Sequence, residues 1–195
     1  LRESRFLCHT ASTTIAEDAT HFGEQLADLI HQILVDGVKP ESALESLNQA
    51  NINIKCPDED RIAILFGGET TVKVTGEGQG GRNQQIVLSA LSKLLEKNTA
   101  QHLQGQFALL SSGTDGQDGP TEAAGAVLTS EDLALIAKEG SELKLDDVNE
   151  FLRNNDSYNF WKKFQDGVCH VQTGPTGTNV MDVQILLINK QKSEK

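Results

Sequence analysis

The chain has 195 residues with 28 acidic against 17 basic side chains, a net charge of −11, and 37% hydrophobic residues. An acidic balance repels nucleic acid and anionic membrane surfaces, and no apolar run approaches the roughly 18 residues of a membrane span. Cys8, Cys56 and Cys169 lie far apart with no C-x-x-C, and the five histidines show no metal-ligand spacing, so the chain is read as intracellular, with the cytoplasm ahead of the mitochondrion.

Arg5–His9 is expected to be a short strand end and Thr10–Thr14 a polar turn. Apolar residues at Ile15, Ala19, Phe22, Leu26, Leu29/Ile30 and Ile33 then recur at helical spacing, and Pro40 suits the first turn of a second helix running towards Ala50. The polar stretch Asn48–Asp60 is the expected domain boundary. After it Arg61–Phe66 reads as a buried strand, Gly67–Thr70 as a turn and Thr71–Thr75, alternating polar and apolar, as the second strand of a β-hairpin. Gly76–Gly81 is a glycine-rich loop, and Arg82–Leu95 is a helix with Ile86, Val87, Ala90, Leu91, Leu94 and Leu95 on its inner face.

Phe107–Ser111 is a further strand running into the loop Gly113–Pro120, and Thr121–Ala137 mixes small residues with helical spacing. Helices are expected over Asp146–Arg153 and Ser157–Phe164, the latter capped by Asp156 or Ser157. Val168–Val171 and Val183–Ile188 read as strands around the loop Thr173–Asn179, and the tail Lys190–Lys195 as frayed. Strands alternating with helices, plus a hairpin, give an α/β layered sandwich: a mixed β-sheet flanked by helices.

Most of the glycines sit in four clusters, and three of the loops they form are candidates for the chemistry. Gly76-Glu-Gly-Gln-Gly-Gly81 matches G-x-G-x-x-G, yet the preceding residues alternate polar and apolar, whereas the first strand of a dinucleotide fold is buried on both faces, so that reading fails. A glycine loop opening a helix lets backbone N–H groups meet an anion. Arg82 stands at that helix start as the only basic residue between Lys73 and Lys93, where its fork can hold a carboxylate or phosphate through two parallel hydrogen bonds. Asp115 and Asp118 follow a buried strand with no Lys or Arg from Asn98 to Ala137 to pair with, and can hold Mg²⁺ or orient a substrate hydroxyl. Thr173–Asn179 is a third loop of small hydrogen-bonding groups, while an N-cap accounts for Asn154–Ser157.

Gly67-Gly-Glu-Thr70, Gly80-Gly-Arg-Asn-Gln84, Gly113–Thr121, Asn155-Asp-Ser157 and Thr173–Asn179, in this order, resemble the glycerate kinases with a MOFRL-type carboxy-terminal domain. The resemblance covers roughly Arg61–Ile188, and it implies two α/β domains with the active site in the cleft between them. Residues 1–50 would then be the tail end of an amino-terminal Rossmann-like domain, and 51–195 the carboxy-terminal domain. The implied reaction uses ATP and Mg²⁺ to phosphorylate glycerate, with 2-phosphoglycerate as product. The candidate catalytic residues are Arg82 and Asp115, with Gly80, Gly81, Asn83, Thr114, Thr176 and Asn179 touching substrate or phosphate and Asp118 holding metal. The family's catalytic lysine has no counterpart in this chain. The chain opens on Leu1 and is therefore expected to be a piece: folded, without kinase activity alone, its first two helices left with a bare apolar face open to a homodimer contact. The alternatives are a hydroxypyruvate reductase, since family members have carried that name, and a non-catalytic ligand-binding module.

Overall fold

The computed structural model describes residues 6–47 and 51–191. Arg5, Asn48–Ala50 and most of the expected frayed tail lie outside the described residues. Six strands form one mixed sheet in the order β1-β2-β6-β3-β4-β5. They are β1 (Leu7–Ile15), β2 (Arg61–Gly68), β3 (Gly105–Gly113), β4 (Gly125–Thr129), β5 (His170–Val171) and β6 (Asp182–Lys190). The helices are α1 (Ala19–Leu34), α2 (Pro40–Glu45), α3 (Arg82–Glu96), α4 (Ser130–Ala137), α5 (Leu145–Arg153) and α6 (Ser157–Lys163). β1 and β2 are parallel and joined through α1 and α2, while every other neighbouring pair is antiparallel.

The registers put Ile64, Leu186, Leu109 and Leu128 in one row across β2, β6, β3 and β4, and all four are fully buried. The next row, on the opposite face, is Leu65, Ile185, Leu110 and Val127, and it is half-buried. The helices close the core. Gly23 brings α1 against α3 so tightly that a Cβ there would collide with the Ile86 carbonyl. The Trp161 indole N–H donates to the Gln84 carbonyl at 3.1 Å, tying α6 to the first turn of α3.

Four sequence expectations change. The expected turn at Thr10–Thr14 belongs to β1, an edge strand whose register slips between Thr10 and Ser12 and again before Ile15. The first helix starts at Ala19 rather than Ile15, because the Asp18 carboxylate accepts the N–H groups of Thr20 at 2.9 Å and His21 at 3.1 Å. The hairpin over 61–75 does not form. β2 is paired along its length with β6 and on its other edge with β1, which leaves no edge for Thr71–Thr75, and Thr71 makes only a single bridge with Asp18. The stretch 121–137 is a strand followed by a helix, divided by a capping box in which Thr129 and Asp132 exchange hydrogen bonds.

The apolar face of the first helix is not bare. Phe22, Leu26, Leu29 and Ile30 are fully buried in the same core as β2 and α3.

Candidate active-site cleft

β2 ends at Gly68, and the chain crosses Glu69 and Thr70 before the glycine loop 76–81 delivers it to the start of α3. Gly81 occupies the N-cap position and has no side chain with which to satisfy the helix's first N–H groups. Asp118 does so from a distant loop. Its Oδ1 accepts the Asn83 backbone N–H at 3.0 Å and the Asn83 side-chain amide at 3.2 Å. Its Oδ2 accepts the Gln84 backbone N–H at 2.9 Å and the Gln84 side-chain amide at 3.0 Å. The carboxylate is almost fully buried, and burial pushes its pKa up against the downward pull of these donors. Both oxygens being engaged, the structure gives Asp118 a task other than the metal binding expected of it: it caps α3. Asn83 has a matching structural place, since its side-chain oxygen accepts the buried Ser111 hydroxyl at 2.6 Å.

Arg82, half-buried at that helix start, is held by an acid the sequence reading left out. Its Nε donates to Asp182 Oδ2 at 2.5 Å and its Nη2 to Asp182 Oδ1 at 3.0 Å, the bidentate geometry expected instead for an incoming anion. The same Nη2 lies 3.2 Å from Glu69 Oε1. The hydrogen bond to Asp182 is the main reason the guanidinium pKa is raised. The contacts to Asp182 run through Nε and Nη2, one edge of the guanidinium. Asp182 is a buried acid at the first position of β6, and its burial, which the sequence does not show, is what marks it.

The glycines of 76–81 serve loop packing as well as any ligand. Cβ atoms on Gly76, Gly78 and Gly80 would collide with Asn154, Asp156 and Ser157 respectively. The same segment supplies the loop's hydrogen-bond acceptors. Asn155 Oδ1 accepts from the Thr75 and Gly76 N–H groups at 2.7 and 2.9 Å, and Asn154 Oδ1 from the Glu77 N–H at 3.1 Å. Asp156 Oδ1 accepts from the Gln79 N–H at 2.8 Å and makes no cap bond to α6, although it stands at that helix's N-cap position. Asn155 has φ +54°, a left-handed conformation that asparagine tolerates better than most residues. The segment explained from sequence as a cap is thus the cradle of the glycine loop.

Glu69, Thr70, Gly80, Arg82, Asn155 and Ser157 are among the residues around a cavity of about 700 Å³. Thr114, Asp115, Thr176 and Asn179 form a second cluster, where the loops after β3 and before β6 are knitted together. Thr176 Oγ1 donates to the Thr114 carbonyl at 2.6 Å, and the Thr176 N–H to the Asp115 carbonyl at 3.1 Å. The Thr114 hydroxyl donates to the Met181 carbonyl at 2.8 Å. Asp115 is half-buried, its Oδ1 accepting the Gln117 N–H at 3.0 Å and its Oδ2 lying 3.4 Å from the Asn179 side-chain amide. Both clusters hang on the start of β6, where Asp182 pairs with Gly113 across the sheet and holds Arg82. Arg82, Gly80 and Gly81 therefore share the cavity, while the Asp115 group belongs to the adjoining loop pair.

The chain has relatives along nearly all of its length. It is 37% identical over 185 residues to a glycerate kinase of Macaca fascicularis, an alignment covering 95% of this chain and 41% of the relative. It is 45% identical over 126 residues to the D-glycerate 2-kinase of Thermotoga maritima, covering 65% of this chain and 27% of that one. The crystal structure of the Thermotoga maritima glycerate kinase superposes with a TM-score of 0.69 at 32% identity, across 96% of this chain and 37% of the other. The chain thus spans roughly two fifths or less of these relatives. The MOFRL family model matches residues 62–182, from β2 through the glycine loop and α3 to the acid that holds Arg82, and the chain belongs to the MOFRL family.

Proposed function

We propose that this chain is the carboxy-terminal part of a glycerate kinase, transferring a phosphoryl group from ATP to glycerate with Mg²⁺, and that its cavity is one wall of the active-site cleft. The observation that carries this is Arg82, fixed by Asp182 at the glycine-flanked start of α3 and lining the cavity. Phosphoryl transfer asks a protein mainly for positioning and charge stabilisation. Asp182 sets the plane of the guanidinium, which holds Arg82 ready for an oxygen of the acceptor or of the transferring group. The 2-phosphoglycerate product follows the name of the Thermotoga maritima relative.

The residues of this chain fit Mg²⁺ at Asp115 and not at Asp118. Asp115 is a half-buried carboxylate with few donors, and Mg²⁺ takes one or two carboxylates with the substrate's phosphates. When bound, Mg²⁺ supplies neutralisation of phosphate charge. The second wall of the cleft is assigned to the length of the relatives that this chain does not span.

The test is ATP consumption with glycerate and Mg²⁺ by a protein of the relatives' length carrying this chain. Turnover of about 1–100 s⁻¹ is expected, the usual kinase range. Arg82→Lys should lose at least tenfold in kcat/KM, about 1.4 kcal/mol, because the fork can no longer serve Asp182 and substrate together. Asp115→Asn should alter the Mg²⁺ dependence. NADH oxidation with hydroxypyruvate in place of ATP turnover would mean the reductase instead.

A further inference from the structure

Among the described residues, the helices cover one face of the sheet only. The core they close takes in Ile64, Phe66, Leu109, Leu128, Leu186 and Ile188, while Leu65, Leu110, Val127, Val183, Ile185 and Leu187, on the opposite face, lie outside it. An antiparallel sheet that leaves one face to water normally alternates apolar and polar residues. These strands do not alternate. Ile62–Phe66, Phe107–Leu110 and Ile185–Ile188 are unbroken apolar runs, the pattern of strands buried on both faces. Yet the row Leu65, Ile185, Leu110 and Val127 is only half-buried, and Ala108 and Leu187 line a groove of about 210 Å³ towards one end of the face.

With strands about 4.8 Å apart and same-face residues about 6.7 Å apart along each, the patch across β2, β6, β3 and β4 is on the order of 400 Å². At that size an exposed apolar patch is commonly a contact surface. A second copy of this chain is a poor occupant, because each carries a net charge of −11 and two such bodies repel on approach. The same charge repels an anionic bilayer. The relatives supply a better one. This chain spans 37% of the Thermotoga maritima glycerate kinase and 41% of the Macaca fascicularis relative, so about three fifths of each lies outside the match. A segment of the same polypeptide docks at a high effective concentration, without the cost of bringing two bodies together. The cleft beside Arg82 does not account for this face. Asp182, which holds Arg82, belongs to the helix-covered side of β6, so cavity and patch lie across the sheet from each other.

Resting on the reading of this chain as part of a longer kinase, we infer that the open sheet face is a docking surface for helices of the remaining chain. They lay an apolar stripe across Leu65, Ile185 and Leu110 and complete a helix–sheet–helix sandwich. The longer protein therefore grips this chain at two places, the cleft and the face across the sheet from it. Cys8, exposed and paired with Ala63 at the rim of the same face, goes under that layer.

The test is alkylation by iodoacetamide, mapped by peptide mass, in this chain and in a protein of the relatives' length carrying it. The probes are Cys8 at the rim and a thiol placed nearer the centre by Ala108→Cys. Cys56 and Cys169 stay silent, since burial pushes their thiols up to about 11 and about 12. Both probes should react freely in this chain and at least about tenfold more slowly in the longer protein. Ile185→Lys should leave this chain's melting temperature within about 3 °C, and should restore both rates in the longer protein. Equal rates in the two proteins overturn the inference. So does protection in this chain itself that grows with its concentration, which would make a second copy the occupant. A melting temperature lowered by about 10 °C in the Ile185→Lys chain also overturns it, because the face would then be packed already. The kinase reading fails separately: a longer protein that shields both thiols without phosphorylating glycerate keeps the docking face and loses the kinase, whereas turnover with both thiols open does the reverse.

Discussion

At the scale of single residues, the start of α3 shows how two acids more than 60 positions apart in sequence prepare one arginine. Asp118 caps the helix and so fixes the Cα of Arg82, while Asp182 fixes its guanidinium plane. Substituting Asp118 by Ala would strand three donors in buried surroundings, the Asn83 and Gln84 backbone N–H groups and the Asn83 amide, while the Gln84 amide would keep Thr121 Oγ1 at 3.1 Å. A single lost cap costs about 0.5–2 kcal/mol and each stranded buried donor about 1–3 kcal/mol. We therefore expect Asp118→Ala to lose at least about 3 kcal/mol in urea unfolding at neutral pH. A loss below about 1 kcal/mol would show that the cap is dispensable and return Asp118 to the list of ligand-binding candidates. Of this arrangement the sequence displayed Arg82, isolated among neutral residues, and the pair Asp115 and Asp118 in one loop. It did not display Asp182, which lies 100 positions from Arg82, because a charge at a strand's first position acquires meaning only once β6 is placed between β2 and β3.

At the scale of elements, what was legible depended on how far burial follows a period. α3, α5 and α6 have apolar residues at helical spacing and lie where that spacing puts them. β1 was read only as far as His9 and β4 was missed, both for physical reasons. β1 is an edge strand rich in threonine, its pattern broken by two register slips, and β4 has only five residues, several of them small. Thr71–Thr75 has a strand's alternation but no free strand to pair with, so a correct local pattern was overruled by topology. The α1–α3 contact supplies a test at this scale. In a helix interior Gly→Ala ordinarily stabilises by about 0.5–1 kcal/mol. At Gly23 the new methyl would strike the Ile86 carbonyl and crowd the Ser89 Cβ, both on a packed helix that cannot yield cheaply. Gly23→Ala should reverse the sign and destabilise by about 1–3 kcal/mol, as overpacked cores do. Thermal unfolding of the variant decides it, and any rise in melting temperature would mean that the two helices have room to part.

At the scale of the whole molecule, the question is whether residues before the expected boundary near position 50 behave as part of this core or as an appendage to it. The division read from sequence rested on a polar stretch, and polarity alone cannot distinguish a linker from a surface connection within one core. β1 pairs with β2 in parallel, the Asn53 N–H donates to the Ala11 carbonyl at 2.7 Å, and the Ala19 N–H to the Thr71 carbonyl at 2.8 Å. Phe22 and Phe66 meet edge to face with ring centroids 5.5 Å apart, so α1 and β2 share an aromatic contact at the centre of the core. A cooperative unit with these links opens as one, and its amides exchange at the rate of global unfolding. We expect the central amides of α1, those of Leu26 to Ile30, to be protected from hydrogen exchange as strongly as those of α3 from Val87 to Leu91. Urea should lower both protections with the same slope, because the slope reports the surface exposed on opening. Exchange in α1 faster by two or more orders of magnitude, with a shallower urea slope, would instead assign residues before 50 to a separately opening unit, as the sequence division implied.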